Sequence, residues 1–153
     1  MADAPRVRYQ RALIANSCVI ACLSMVTGES FARVRKGLLE FWQDEGQFQG
    51  IGDNVFDEYL AQRGYAMQYM RHEYKPRFQL RTPWPPRPWA PLHVCDVFDQ
   101  GLHAVVMLAD GRVLDPSDRK RRSLTDYHRV FGVCGVWKVG EPLAYPPDTK
   151  KRR

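Results

Sequence analysis

The chain reads as an α+β protein, because apolar residues recur at helical spacing in its first part and short β-branched runs bounded by turn residues fill its second. Between the two lies a proline-rich stretch, Pro76 to Pro91, with six prolines. At 153 residues the chain has the length of one domain with a sizeable core. We expect that domain over residues 1–140 and a basic, flexible tail over 141–153.

The first helix spans Cys18 to Thr27 and is apolar nearly all round, so it should be buried, with Gly28 as its stop. Ser30 is placed to cap a second helix, in which Phe31, Val34, Leu38, Phe41 and Trp42 form one apolar face. After a Gly-rich connection, Asp53 is placed to cap a third helix carrying Val55, Phe56, Tyr59 and Leu60, ended by Gly64. Ala66 to Met70 alternates and reads as a first strand. Proline denies Pro76 to Pro91 a ladder or helix of its own, so it should be an extended connection whose Trp84 and Trp89 pack on the core or wall a substrate groove. Leu92 to Phe98, Leu102 to Leu108, Arg112 to Leu114 and Val133 to Val139 then predict an antiparallel sheet.

Composition narrows the class. A net charge of +6 accompanies 44% hydrophobic residues, which argues against a disordered basic tail protein. Two basic runs, Arg119-Lys120-Arg121-Arg122 and Lys150-Lys151-Arg152-Arg153, read as solvated surface or as contacts for phosphates or an acidic partner. No secretory signal or membrane span is legible, and Cys18, Cys22, Cys95 and Cys134 are too few and scattered for a disulfide framework. A cytoplasmic protein with free thiols is the expectation.

The chemistry starts at Cys18. Asn16 or Ser17 is a good N-cap, which puts Cys18 in the first helical turn, where free backbone N–H groups and the positive end of the dipole favour a thiolate. Cys22 lies one turn on, inside the apolar helix, and reads as core. A nucleophilic thiol needs an imidazole and a group to orient it. His103 opens an otherwise apolar strand and is the candidate base. The turn Ala109-Asp110-Gly111 then offers two registers. A two-residue turn sets His103 opposite Asp118 and turns Asp115 to the other face; a three-residue loop sets His103 opposite Ser117 with Asp115 diagonal on the same face. The second is favoured, since it uses Gly111 where positive φ is needed and Pro116 ends the strand just after the acid. Asp115 is then the orienter and Asp118 its alternative.

Asn16-Ser17-Cys18 at a helix start, His103-Ala104-Val105-Val106, and Val113-Leu114-Asp115-Pro116 together resemble the papain-like cysteine peptidases, most closely the bacteriocin-processing, C39-like type. The resemblance implies N-terminal helices, the nucleophile helix among them, packed on a C-terminal antiparallel sheet. It implies Cys18 as nucleophile, His103 as general base and acid, and Asp115 as orienter, without a cofactor or metal. That family carries an oxyanion glutamine six residues before the cysteine, where this chain has Ala12, and a glycine after the cysteine, where it has Val19. Asn16 or Gln10, with the Cys18 N–H, is therefore expected to serve the oxyanion.

The activity so implied is a thiol hydrolase cleaving a peptide, isopeptide or side-chain amide through an acyl-enzyme, or a transferase if an amine replaces water. Its partner would be a peptide or protein substrate, within a larger assembly or alone. The competing readings are an inactive papain-like fold serving as adaptor, and a nucleic-acid-binding module using the basic runs with Tyr127 and Trp137. A metal site from His93, Cys95 and His103 lacks the paired spacing of zinc motifs.

Overall fold

The computed structural model describes residues 7–14, 17–41, 54–74, 90–98 and 100–140. Among these, three α-helices precede and pack against an antiparallel five-stranded sheet: α1 (Cys18–Thr27), α2 (Phe31–Phe41), α3 (Asn54–Gln62), β1 (Tyr65–Tyr74), β2 (Leu92–Phe98), β3 (Leu102–Leu108), β4 (Val113–Leu114) and β5 (Arg129–Lys138). Asn16, Trp42, Asp53, Trp84, Trp89, most of the proline-rich stretch and the tail over 141–153 lie outside the described residues.

The helices end where local chemistry ends them. Gly28, at φ 76°, donates its N–H to Ser24 O and closes α1. The Ser30 hydroxyl accepts from Arg33 N at 3.2 Å and caps α2. Val19 to Val26 are all buried, as the apolar circumference of α1 requires. Phe31, Val34 and Leu38 of α2, with Val55, Phe56, Tyr59 and Leu60 of α3, complete the core on that side of the sheet.

The strand order is β1-β5-β2-β3-β4, so the last strand inserts between the first and second. Both β1 and β5 extend beyond the segments their alternation marks out, β5 beginning at Arg129 rather than Val133. Alternation divides the sheet residues between two cores. Val94, Ala104 and Val106 face the helices, while Cys95, Val97, Val105 and Met107 face a second cluster closed by Leu124 and Tyr127 from the segment between β4 and β5. A 3-10 turn at Leu124–Asp126 holds that segment, with Ser123 and Asp126 forming a capping box.

Met107 pairs with Val113 and Val106 with Leu114, so the hairpin has the three-residue loop Ala109-Asp110-Gly111. Gly111 takes φ 89°, and Leu108 N bonds Arg112 O at 2.8 Å. β4 stops after Leu114, immediately before Asp115 and Pro116, which leaves the start of β3 uncovered by a partner strand on that side. No helix among the described residues is long and apolar enough to cross a membrane.

Candidate active site

At that open end the hairpin register brings two polar residues together. His103 Nε2 lies 2.6 Å from Asp115 Oδ1. Asp115 is 2% exposed, so its carboxylate needs partners, and it has four bonds from three residues. Besides His103, Ser117 donates through its backbone N–H at 2.8 Å and its hydroxyl at 2.9 Å to Oδ1, and the Tyr127 hydroxyl donates a short bond to Oδ2. The Tyr9 hydroxyl bonds the Asp115 carbonyl oxygen at 2.7 Å and ties the N-terminal segment to the same place. Asp118, the alternative orienter, is engaged elsewhere: its carboxylate accepts from Lys120 N at 2.8 Å and faces Arg121 at 3.5 Å.

Cys18 completes the arrangement from the other side of the sheet. α1 packs on the helix-facing side of β3, and its first residue lies beside His103 where β3 begins, the two lining one cleft. Because Asp115 holds Nε2, the ring nitrogen left to serve the thiol is Nδ1. Cys18 is half-buried and lines a cleft of about 330 Å³ with Ala12, Ile14, Leu102, His103 and Ser117.

The charges follow from these contacts. Burial alone would depress the His103 imidazolium, but its hydrogen bonds to Asp115 and Cys18 and their negative charge lift it to about 9. Burial would raise the Asp115 carboxyl, yet hydrogen bonds from His103 and Tyr127, the imidazolium charge and the Ser117 N–H pull it down to about 2. The pair is thus ionised at neutral pH. Cys22 and Cys95 are fully buried, and burial pushes both thiols well up, as it does Cys134, to about 12. All four cysteines are unpaired, and Cys18 alone among them reaches the surface.

The oxyanion expectations fare differently. Asn16 lies outside the described residues. Gln10 is not brought to Cys18: its side-chain amide donates to Arg11 O at 2.8 Å on the surface, because the displaced position points along the N-terminal segment and not into the cleft. Ser17 takes the N-cap position of α1, but its hydroxyl donates to Ile14 O and makes no capping bond. The first amides of α1, those of Cys18 and Val19, have no intrahelical acceptor and are the donors the site retains. His93 is wholly buried and held neutral, its pKa lowered to about 4 by burial, and no metal-binding group forms among the described residues.

Ser117 and Tyr127 escaped the sequence reading as site residues. The register did set Ser117 opposite His103, so its role was within reach; nothing local marks Tyr127, whose hydroxyl arrives through the fold of the β4–β5 segment. Its 2% exposure also removes it as a stacking platform for bases. Set against known proteins, the chain matches no family model, no curated protein and no solved structure.

Proposed function

We propose that this protein is a papain-like thiol hydrolase that cleaves an amide bond of a peptide or protein substrate through an acyl-enzyme, with Cys18 as nucleophile, His103 as base and acid, and Asp115 as orienter. The observation that carries the reading is the line Cys18–His103–Asp115, with the carboxylate on Nε2 at 2.6 Å and the thiol in the cleft that the same imidazole lines. A helix bearing the cysteine, packed on an antiparallel sheet bearing the histidine, is the arrangement the papain-like resemblance implies.

The steps follow from the charges. Cys18 Sγ, its proton on His103, attacks the carbonyl carbon, and the negative charge moves to the carbonyl oxygen beside the Cys18 and Val19 amides at the positive end of α1. His103 gives its proton to the leaving nitrogen as the C–N bond breaks, leaving a thioester on Cys18. Water then attacks that thioester, its proton passes to His103, and cleavage of the C–S bond returns the thiolate. Asp115, locked by Tyr127 and Ser117, keeps the imidazole oriented and stabilises its charge throughout. Four unpaired cysteines suit work in the reducing cytoplasm.

A second reading, a papain-like fold that binds without cleaving, draws on Ala12 and the engaged Gln10, neither of which presents to the cleft the glutamine amide that the resembling family uses. Iodoacetamide labelling of Cys18 and, on a separate unlabelled sample, intact mass after incubation with a peptide thioester separate the two. The hydrolase is expected to alkylate selectively at Cys18 near neutral pH, to slow when His103→Ala removes the partner, and to show a transient acyl adduct. Equal, sluggish reaction of all four cysteines would sink the thiolate, and a reactive Cys18 that never acylates would favour the binding protein.

A further inference from the structure

The basic run left unassigned by this chemistry lies against the same carboxylate. Asp115 and Tyr9 form the floor of a cleft of about 320 Å³ whose walls carry Arg112, Arg119, Arg121 and Arg122. Local carboxylates neutralise only part of this charge. Arg112 pairs with Asp110 at 2.7 Å, Arg121 faces Asp118 at 3.5 Å and donates to Asp126 O at 2.8 Å, and the Asp115 carboxylate is occupied by His103, Ser117 and Tyr127. The guanidinium groups of Arg119 and Arg122 have no carboxylate partner among the described residues, the Asp126 carboxylate accepting only from the Arg122 backbone N–H, at 3.1 Å. Arg119 lies 4.2 Å over the Tyr9 ring, and the Arg122 backbone is fixed to β4 by the bond from Val113 N to its carbonyl at 2.9 Å. Two exposed guanidinium groups are thus held on ordered backbone, their forked donors open to an anion.

The cleft also neighbours the candidate active site. The Cys18 cleft shares His103 and Ser117 with a neighbouring one of about 370 Å³, and that one shares Asp115 and Arg121 with the arginine cleft. The arginine cleft and the Cys18 cleft thus border the same His103–Asp115 pair from two sides.

We propose that this arginine cleft binds acidic side chains of the polypeptide substrate; the choice of a polypeptide as the ligand rests on the hydrolase reading. A nucleic acid is disfavoured because the aromatic rings here are covered, Tyr9 by Arg119 and Tyr127 by burial and Arg121, leaving no face on which a base can stack.

The test measures fluorescence anisotropy of a labelled Glu-rich peptide, its Gln-rich counterpart and an oligo-dT of matching charge against the full chain and its Arg119→Gln/Arg122→Gln variant. The Glu-rich peptide should bind, the Gln-rich one should not, and the double variant should weaken binding by at least about tenfold, the scale of a lost charge-assisted hydrogen bond. Unchanged affinity in the variant, or oligo-dT binding more tightly than the Glu-rich peptide with the same loss, overturns the proposal. Cys18 alkylation on the same samples keeps the two readings apart. An unreactive Cys18 with arginine-dependent peptide binding would retire the hydrolase and sustain the cleft; a reactive Cys18 without such binding would retire the cleft alone.

Discussion

His103 Nε2, on β3, and Asp115 Oδ1, just past the end of β4, stand 2.6 Å apart, an approach set by the three-residue loop between the two strands. The turn thereby decides the chemistry: one residue fewer in the loop turns Asp115 to the opposite face of the sheet.

Breaking this pair should lower the pKa of His103. With Asp115→Asn the opposing influence of burial remains while the carboxylate charge is gone, so the His103 pKa should fall from about 9 toward its ordinary 6.5, with Cys18 still raising it. NMR titration of the ring protons reads this directly, and a value that stays near 9 would refute the assignment of Asp115 as its partner. The variant should also lose roughly 3 kcal/mol of stability, as when one partner of a buried pair is removed.

Two histidines should shape stability against pH from opposite sides. His103, raised from 6.5 to about 9, contributes stability that is complete below pH 6.5 and is lost as pH climbs through 9. His93, lowered from 6.5 to about 4, costs nothing above pH 6.5 but draws protons to the unfolded chain as pH falls toward 4. Asp115, lowered from 3.8 to about 2, adds a further loss as pH falls through that range. Urea unfolding should therefore show maximal stability near pH 6.5, each limb falling by up to about 1.4 kcal/mol per pH unit per group. A profile that rises or falls monotonically from pH 4.5 to 8.5 would contradict it.

Ala12 lines the Cys18 cleft at the position where the resembling family carries its oxyanion glutamine. Its backbone N–H bonds Pro116 O at 3.0 Å, so a longer side chain can be added without moving the segment. Since losing one such donor costs roughly 3–4 kcal/mol of barrier, Ala12→Gln should accelerate acylation by a peptide thioester about tenfold or more. Iodoacetamide labelling of Cys18 should be unchanged. Stopped-flow acylation at the unaltered rate, in a folded variant, would show that the cleft does not hold the oxyanion near residue 12.

How much of this was legible before folding depends on the range of each signal. α1 was readable to the residue, because its apolar run and its glycine stop are local. So were β2, β3 and the hairpin register, since Gly111 and Pro116 act on their own neighbours. The candidate pair of His103 and Asp115 followed from that register, for side chains two apart on a strand share a face. The insertion of β5 between β1 and β2 was not legible, because strands of similar composition carry no label for their neighbours. Nor were Tyr127 on Asp115 or the diversion of Gln10 to Arg11, whereas the partnership of Cys18 with His103 was implied by the family resemblance and by no local signal. By itself the sequence determined which residues had the chemistry and how each sat on its own element; only the tertiary structure decided which of them met, because contacts between distant segments depend on packing two apolar faces at once and no local preference encodes that.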